Sequence, residues 1–144
     1  MKLILILLLT LSLYAKDKVF FLPKDAEKAE NCIEKLIKSS KSNIDIAMYN
    51  FSHDKFAKLL RKAKKRGVKV KVYYDKEDVK FGKVKTKRVS RKLHTKIAIF
   101  DKNTVVFGSA NWTKENFRNN YEVLYISKKK KIVSQFNEFF KELN

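Results

Sequence analysis

Apolar positions along the chain recur in blocks that switch between strand-like and helix-like spacing. Val19 to Leu22 is a short apolar run closed by Pro23. Ala26, Ala29, Ile33, Leu36 and Ile37 then follow at helical intervals, with Asp25 placed to cap. Asn43 to Met48 alternates as a strand does, and Tyr49 to Asp54 reads as the loop after it. A second helix over 54–66 buries Phe56, Leu59, Leu60 and Ala63 and stops at Gly67, after which Val68 to Tyr73 is strand-like. The first half thus predicts β-α-β-α-β, a sheet with parallel neighbours and helical crossovers. Asp75 to Lys92 shows no usable period. Leu93 to Phe100 and Thr104 to Phe107 predict two strands joined by the turn Asp101-Lys102-Asn103, Tyr121 to Ser127 another, and Lys129 to Leu143 a last amphipathic helix. The expectation is an α/β fold: a mixed β-sheet flanked by helices on both faces, in one domain over 16–144.

Residues 1–15 stand apart. Lys2 precedes an apolar run from Leu3 to Leu13, and Tyr14-Ala15 precedes Lys16, the pattern of a signal peptide. The run falls short of the roughly 20 residues that span a bilayer. The position two before Ala15 is Leu13 rather than a small residue, so two outcomes stay open: export to a secreted or periplasmic location, or an uncleaved N-terminal membrane anchor. Cys32 is the sole cysteine, which excludes an intramolecular disulfide; its place among apolar positions suits a buried small hydrophobe.

The chain carries 34 Lys+Arg against 15 Asp+Glu, a formal charge of +19, with 44% hydrophobic residues. That is a domain with a core and a strongly basic surface, not a disordered polycation. The charge is uneven: 17 basic and 3 acidic residues lie between Lys55 and Lys92. Such a field selects polyanionic partners, nucleic acid first and anionic membrane as a weaker second. Lys62 and Lys65, on the second helix, and Lys87, Arg88, Arg91 and Lys92, just upstream of the next strand, are the candidate substrate groove. A solvated lysine-rich surface is the plain alternative.

Residues 93–112 read LHTKIAIFDKNTVVFGSANW. His94 and Lys96 are two apart on an expected strand and so share a face; Ser109 and Asn111 are two apart just after Gly108. Strand pairing can gather an imidazole, a cation and two neutral hydrogen-bonding groups, which together suit a phosphodiester. Trp112 is a candidate to stack on a base. His53 lies in a polar loop and is read as structural, and Phe136, Phe139 and Phe140 as core or dimer interface. Two histidines and one cysteine offer no dense metal-ligand cluster, so neither metal nor another cofactor is expected.

His94-x-Lys96, four residues, Asp101, six residues, Gly108-Ser109-x-Asn111 resembles the phospholipase D superfamily motif at all six fixed positions. Asn120-Tyr121-Glu122 is similar to that family's downstream Asn-x-Glu. Tyr49, Arg66-Gly67-Val68-Lys69-Val70 and Asp75 are similar to the first half of its single-motif bacterial nucleases. The resemblance implies that one histidine attacks phosphorus, a second motif's histidine protonates the leaving oxygen, and water hydrolyses the phosphohistidine without metal. With one motif per chain it implies a twofold homodimer with facing His94 side chains. It further implies that Lys96 and Asn111 grip non-bridging oxygens, that Ser109 hydrogen-bonds nearby, and that Glu122 orients a His94 imidazole. Asp101 is expected to tie the hairpin to basic groups. The segment 76–91 is shorter than in those nucleases and raises the question of a missing strand. The function expected is an exported, metal-independent endonuclease for DNA, RNA or both, with little sequence preference. Lipid phosphodiester hydrolysis and a non-catalytic nucleic-acid-binding module are the alternatives.

Overall fold

The computed structural model describes residues 17–77 and 79–143; the targeting segment read in residues 1–15 lies outside them. In chain order the elements are β1 (Lys18–Leu22), α1 (Ala26–Ser39), β2 (Asn43–Phe51), α2 (Asp54–Lys65), β3 (Lys69–Glu77) and β4 (Lys85–Arg88). They continue with β5 (Lys96–Phe100), β6 (Thr104–Gly108), α3 (Lys114–Arg118), β7 (Glu122–Ser127) and α4 (Lys130–Glu142). One seven-stranded sheet runs β1-β7-β6-β5-β2-β3-β4. Pairings β2–β3 and β3–β4 are parallel and the other four antiparallel.

Alternation along the strands divides the core. Ile44, Ile46 and Met48 of β2, Val70 and Val72 of β3, and Leu124 and Ile126 of β7 pack against α1 and α2. On the other face Ala47, Tyr73, Ile99 and Val105 pack against Val133 and Phe140 of α4. Helices flank both faces, as the pattern predicts.

Four local expectations need correction. β1 is not a parallel neighbour of β2; it closes the opposite edge, antiparallel to β7. β2 continues through Tyr49 to Phe51, because β3 extends far enough to pair with Asn50 and Phe51, and Phe51 bridges to Trp112. Asp25 does not cap α1 through its side chain; that carboxylate accepts the Phe21 N–H at 3.1 Å. The strand predicted from Leu93 starts only at Lys96. Asp75 takes the Leu93 N–H at 3.0 Å, and the Thr95 hydroxyl turns to the Ala47 carbonyl at 3.2 Å.

The lysine-rich stretch does contain a strand, β4, and all four of its side chains are exposed. Backbone pairing with β3 makes it a strand, so no apolar alternation marks it. Gly67 sits at φ +93° after α2, the left-handed stop its residue type predicts.

Candidate active site

Strand direction brings the motif together. The C-terminal ends of β2 and β6 and the N-terminal ends of β5 and β7 lie at one end of the sheet. That end therefore collects Tyr49, Lys96, Gly108-Ser109 and Glu122, with His94 just before β5 and Asn111 just after β6.

His94 is exposed, and its ring meets the edge of Tyr49 at 4.8 Å between centroids. The Lys96 ammonium donates to the His94 carbonyl at 2.8 Å and lies 5.4 Å from the Tyr49 ring centre. Lys76 and Lys92 approach the same ring at 5.5 and 5.9 Å. An electron-rich face thus holds three cations beside the imidazole. Partial burial is the main influence pulling the Lys96 ammonium below the usual lysine range; Glu122 opposes it and Lys92 reinforces it.

Gly108 is required by closeness. A Cβ there would sit 2.0 Å from the Val123 carbonyl oxygen. That approach lets the Ser109 N–H donate to the same carbonyl at 3.0 Å, while the Val123 N–H donates to Ser109 Oγ at 3.0 Å. Ser109 Oγ in turn donates to Glu122, and the Asn120 amide reaches the other Glu122 oxygen at 3.4 Å. Among the described residues Glu122 thus hydrogen-bonds Ser109 and Asn120, not His94, within one chain.

Asn111 is held from both sides. Its Oδ1 accepts the Asn50 N–H at 3.1 Å, and its own N–H donates to Asn116 Oδ1 at 2.9 Å. The Thr113 hydroxyl caps α3 by accepting the Asn116 N–H at 3.0 Å, which fixes the clamp.

Asp101 lies at the far end of the sheet and is structural, but its partners are not basic groups. At φ +49° its carboxylate turns onto the backbone N–H groups of Lys41, Ser42 and Asn43 at 2.8–3.1 Å. Burial works to raise this carboxyl, yet the N–H donors outweigh it and hold its pKa below the usual carboxylate range.

The groove candidates separate. Lys87, Arg88, Arg91 and Lys92 line an open cavity of about 640 Å³, with His94, Leu93 and Phe139. Within it Lys87 donates to the Leu143 carbonyl at 2.9 Å, and Arg88 lies 4.0 Å from Asp75. Lys62 and Lys65 do not belong there. They occupy the last turns of α2, whose chain direction carries them to the Asp101 end of the sheet. Trp112 does not face substrate: it is 1% exposed and packs edge-on against Phe51 and Phe56.

Sequence reading undervalued Tyr49, Asn50 and Asn116. An aromatic ring ending an otherwise aliphatic strand was the available signal for the first; the other two act through contacts with no sequence signature. His53 is structural, as read, but buried. Its Nδ1 accepts the Phe56 N–H at 3.4 Å and its Nε2 meets Glu30 at 3.4 Å, so the neutral ring carries its proton on Nε2.

The exposed imidazole, its neighbouring cation and the Ser109–Glu122 pair, set at one end of a mixed sheet, define a phospholipase D-like domain. A family model described as "Cardiolipin synthase, PLD-like domain" matches residues 33–144, and the chain belongs to this phospholipase D-like family, among phosphodiesterases and nucleases. The chain is similar to NucT from Helicobacter pylori, with 27% identity, TM-score 0.79, and 89% of this chain and 94% of that one covered. It is also similar to Nuc from Salmonella typhimurium, a phospholipase D family member, with 26% identity, TM-score 0.75, and 89% and 93% covered. Mitochondrial cardiolipin hydrolase from Homo sapiens is 24% identical over 129 residues, 79% of this chain. The chain spans 51% of that relative's length.

Proposed function

We propose that this protein is an exported endonuclease that hydrolyses DNA, RNA or both without metal and with little sequence preference. One observation carries this reading: the exposed His94 opens onto a cavity lined by Arg88, Arg91 and Lys92. Such cations grip a phosphate backbone, and none is held in a geometry that reads base edges. The similarity to NucT and Nuc supports nucleic acid as substrate.

The proposed mechanism uses two copies of the chain. One His94 attacks phosphorus, forming a P–N bond as the bond to the leaving oxygen breaks; the partner's His94 gives that oxygen its proton. Water then attacks the phosphohistidine and returns a proton to the partner's imidazole, leaving a phosphomonoester and a free His94. Lys96 and Asn111 stabilise the non-bridging oxygens as charge grows on them. Ser109 holds Glu122 so that a carboxylate stands ready to orient an imidazole across the twofold axis.

The test is cleavage of labelled single- and double-stranded DNA and RNA in excess EDTA, by wild type and His94→Ala. EDTA-resistant cleavage lost in the variant is expected. Equal rates in both would overturn the catalytic assignment. A second reading, hydrolysis of lipid phosphodiesters, is favoured by the likeness to a cardiolipin hydrolase. Turnover of cardiolipin vesicles without nucleic-acid cleavage would put it first. Binding of nucleic acid with neither activity would leave a non-catalytic module.

A further inference from the structure

Away from the catalytic end, an open cavity of about 360 Å³ lies between the C-terminal half of α1 and the edge of the sheet. Ligand pockets begin at about 300 Å³. The chain builds this one from two directions. Cys32, Lys35, Leu36 and Ser39 follow one another at spacings of three, one and three, so a single face of α1 presents them. Lys18, Thr104 and Ile126 stand on β1, β6 and β7, adjacent strands of the sheet, and Lys18 pairs with Ile126 in register. Lys128 follows just after β7. Alternation puts Ile126 on the same side as Leu124, in the core that α1 covers. Ile126 is four residues along β7 from Glu122, about 13 Å at 3.3 Å per residue, and no lining residue is shared with the cavity at His94.

The lining is divided by chemistry. Ile126 and Thr104 form a buried floor, with Leu36 and Cys32 half-buried beside them. Small side chains at Cys32, Ser39 and Thr104 leave space that larger ones would fill. Both hydroxyls already donate, Thr104 to Asn103 Oδ1 at 2.8 Å and Ser39 to the Leu36 carbonyl at 3.3 Å. The rim is cationic. Lys18, Lys35 and Lys128 are exposed, and among the described residues none of their ammonium groups has a hydrogen bond or an ion pair. The carboxylates nearest them in the chain are engaged elsewhere: Asp17 by Lys129 and Ser127, Glu34 by Lys38 and Lys55. Three like charges therefore surround an apolar hollow with nothing to neutralise them.

We propose that this cavity binds a free single-chain amphiphile with an anionic head, of the alkyl carboxylate class, its chain on Leu36 and Ile126 and its head among the three ammonium groups. A nucleic-acid phosphate or an inorganic anion would use the lysines and leave the apolar floor uncovered. A neutral apolar molecule would cover the floor and leave the like charges facing one another. An alkyl carboxylate answers both. At about 30 Å³ for a water-sized group, the space takes a chain of about ten methylenes.

Cys32 supplies the readout, because it is the sole cysteine and lines the cavity. On the full chain, its modification by N-ethylmaleimide is followed by mass spectrometry with decanoate below the micelle threshold, and with decanol or inorganic phosphate in its place; calorimetry gives the affinities. Decanoate at about ten times its Kd is expected to slow modification about tenfold, and decanol and phosphate at the same concentration less than about threefold. Replacing Lys18, Lys35 and Lys128 together with Gln is expected to weaken decanoate binding about tenfold or more, whereas the same replacement of Lys62, Lys64 and Lys65 changes it no more than about twofold. All six side chains are exposed, so the thermal midpoint is expected to stay near wild type. No decanoate binding would overturn the proposal. So would decanol or phosphate protecting as well as decanoate, equal losses in the two triple variants, or protection that begins only above the micelle threshold, which would assign the cavity to a lipid aggregate.

Discussion

At the scale of single residues, charge and burial divide the two histidines between different tasks. His94 is exposed among cations, whereas His53 stacks on Phe56 at 3.8 Å and is held at both nitrogens. Burial is the main influence holding the His53 imidazole below its ordinary pKa of 6.5, against the pull of Glu30. The unfolded chain therefore takes up a proton near pH 6.5 while the folded one resists, so stability falls as pH drops through that value. Replacement with Asn, a good cap without a titrating ring, is expected to flatten the dependence of the thermal midpoint between pH 7 and 5. His53→Ala loses both the cap and the stack and is expected to cost about 2–4 kcal/mol in urea unfolding. The residue types and spacing of His94, Lys96, Ser109 and Asn111 made the site legible in the sequence. The fate of Trp112 was not, because an aromatic side chain after a motif can point into a groove or a core with the same neighbours in sequence.

At the scale of elements, the site depends on how closely β6 and β7 approach each other. Gly108→Ala places a methyl group against the Val123 carbonyl, where backbone rather than a flexible side chain must yield. The expected cost is about 3 kcal/mol of stability. Displacing Ser109 and Glu122 is expected to slow turnover about a hundredfold, read as a loss in kcat greater than any change in KM. The strands that were legible, β2, β3, β5, β6 and β7, each bury one or both faces and so carry a hydrophobic pattern. β4 buries none, and β1 carries apolar residues whose partner strand no local pattern identifies. The resemblance led to the expectation that Asp101 ties the hairpin to basic groups; its bonds go instead to backbone N–H groups at the start of β2, 58–60 positions away, a separation that composition and period do not report.

At the scale of the whole molecule, the basic residues work in two populations. Arg91 and Lys92 border the cavity at His94, and Lys62 and Lys65 stand at the other end of the sheet. Alanine at Arg91 or Lys92 is expected to raise KM several-fold and to reduce the slope of log affinity against log salt by about one per cation lost. The same change at Lys62 or Lys65 is expected to leave KM within about twofold, measured under one ionic strength. If two His94 groups act together, one neutral and one protonated, kcat/KM passes through a maximum with pH, and a flat profile from about pH 5 to 9 would contradict the pairing. Trp112 adds a practical consequence. It is the sole tryptophan of the chain, sealed one residue beyond Asn111 with its carbonyl accepting the Ser52 and His53 N–H groups at 3.0 and 2.9 Å. Its fluorescence is therefore a native, label-free reporter of that loop, blue-shifted while the loop is closed and red-shifted as soon as solvent reaches the indole.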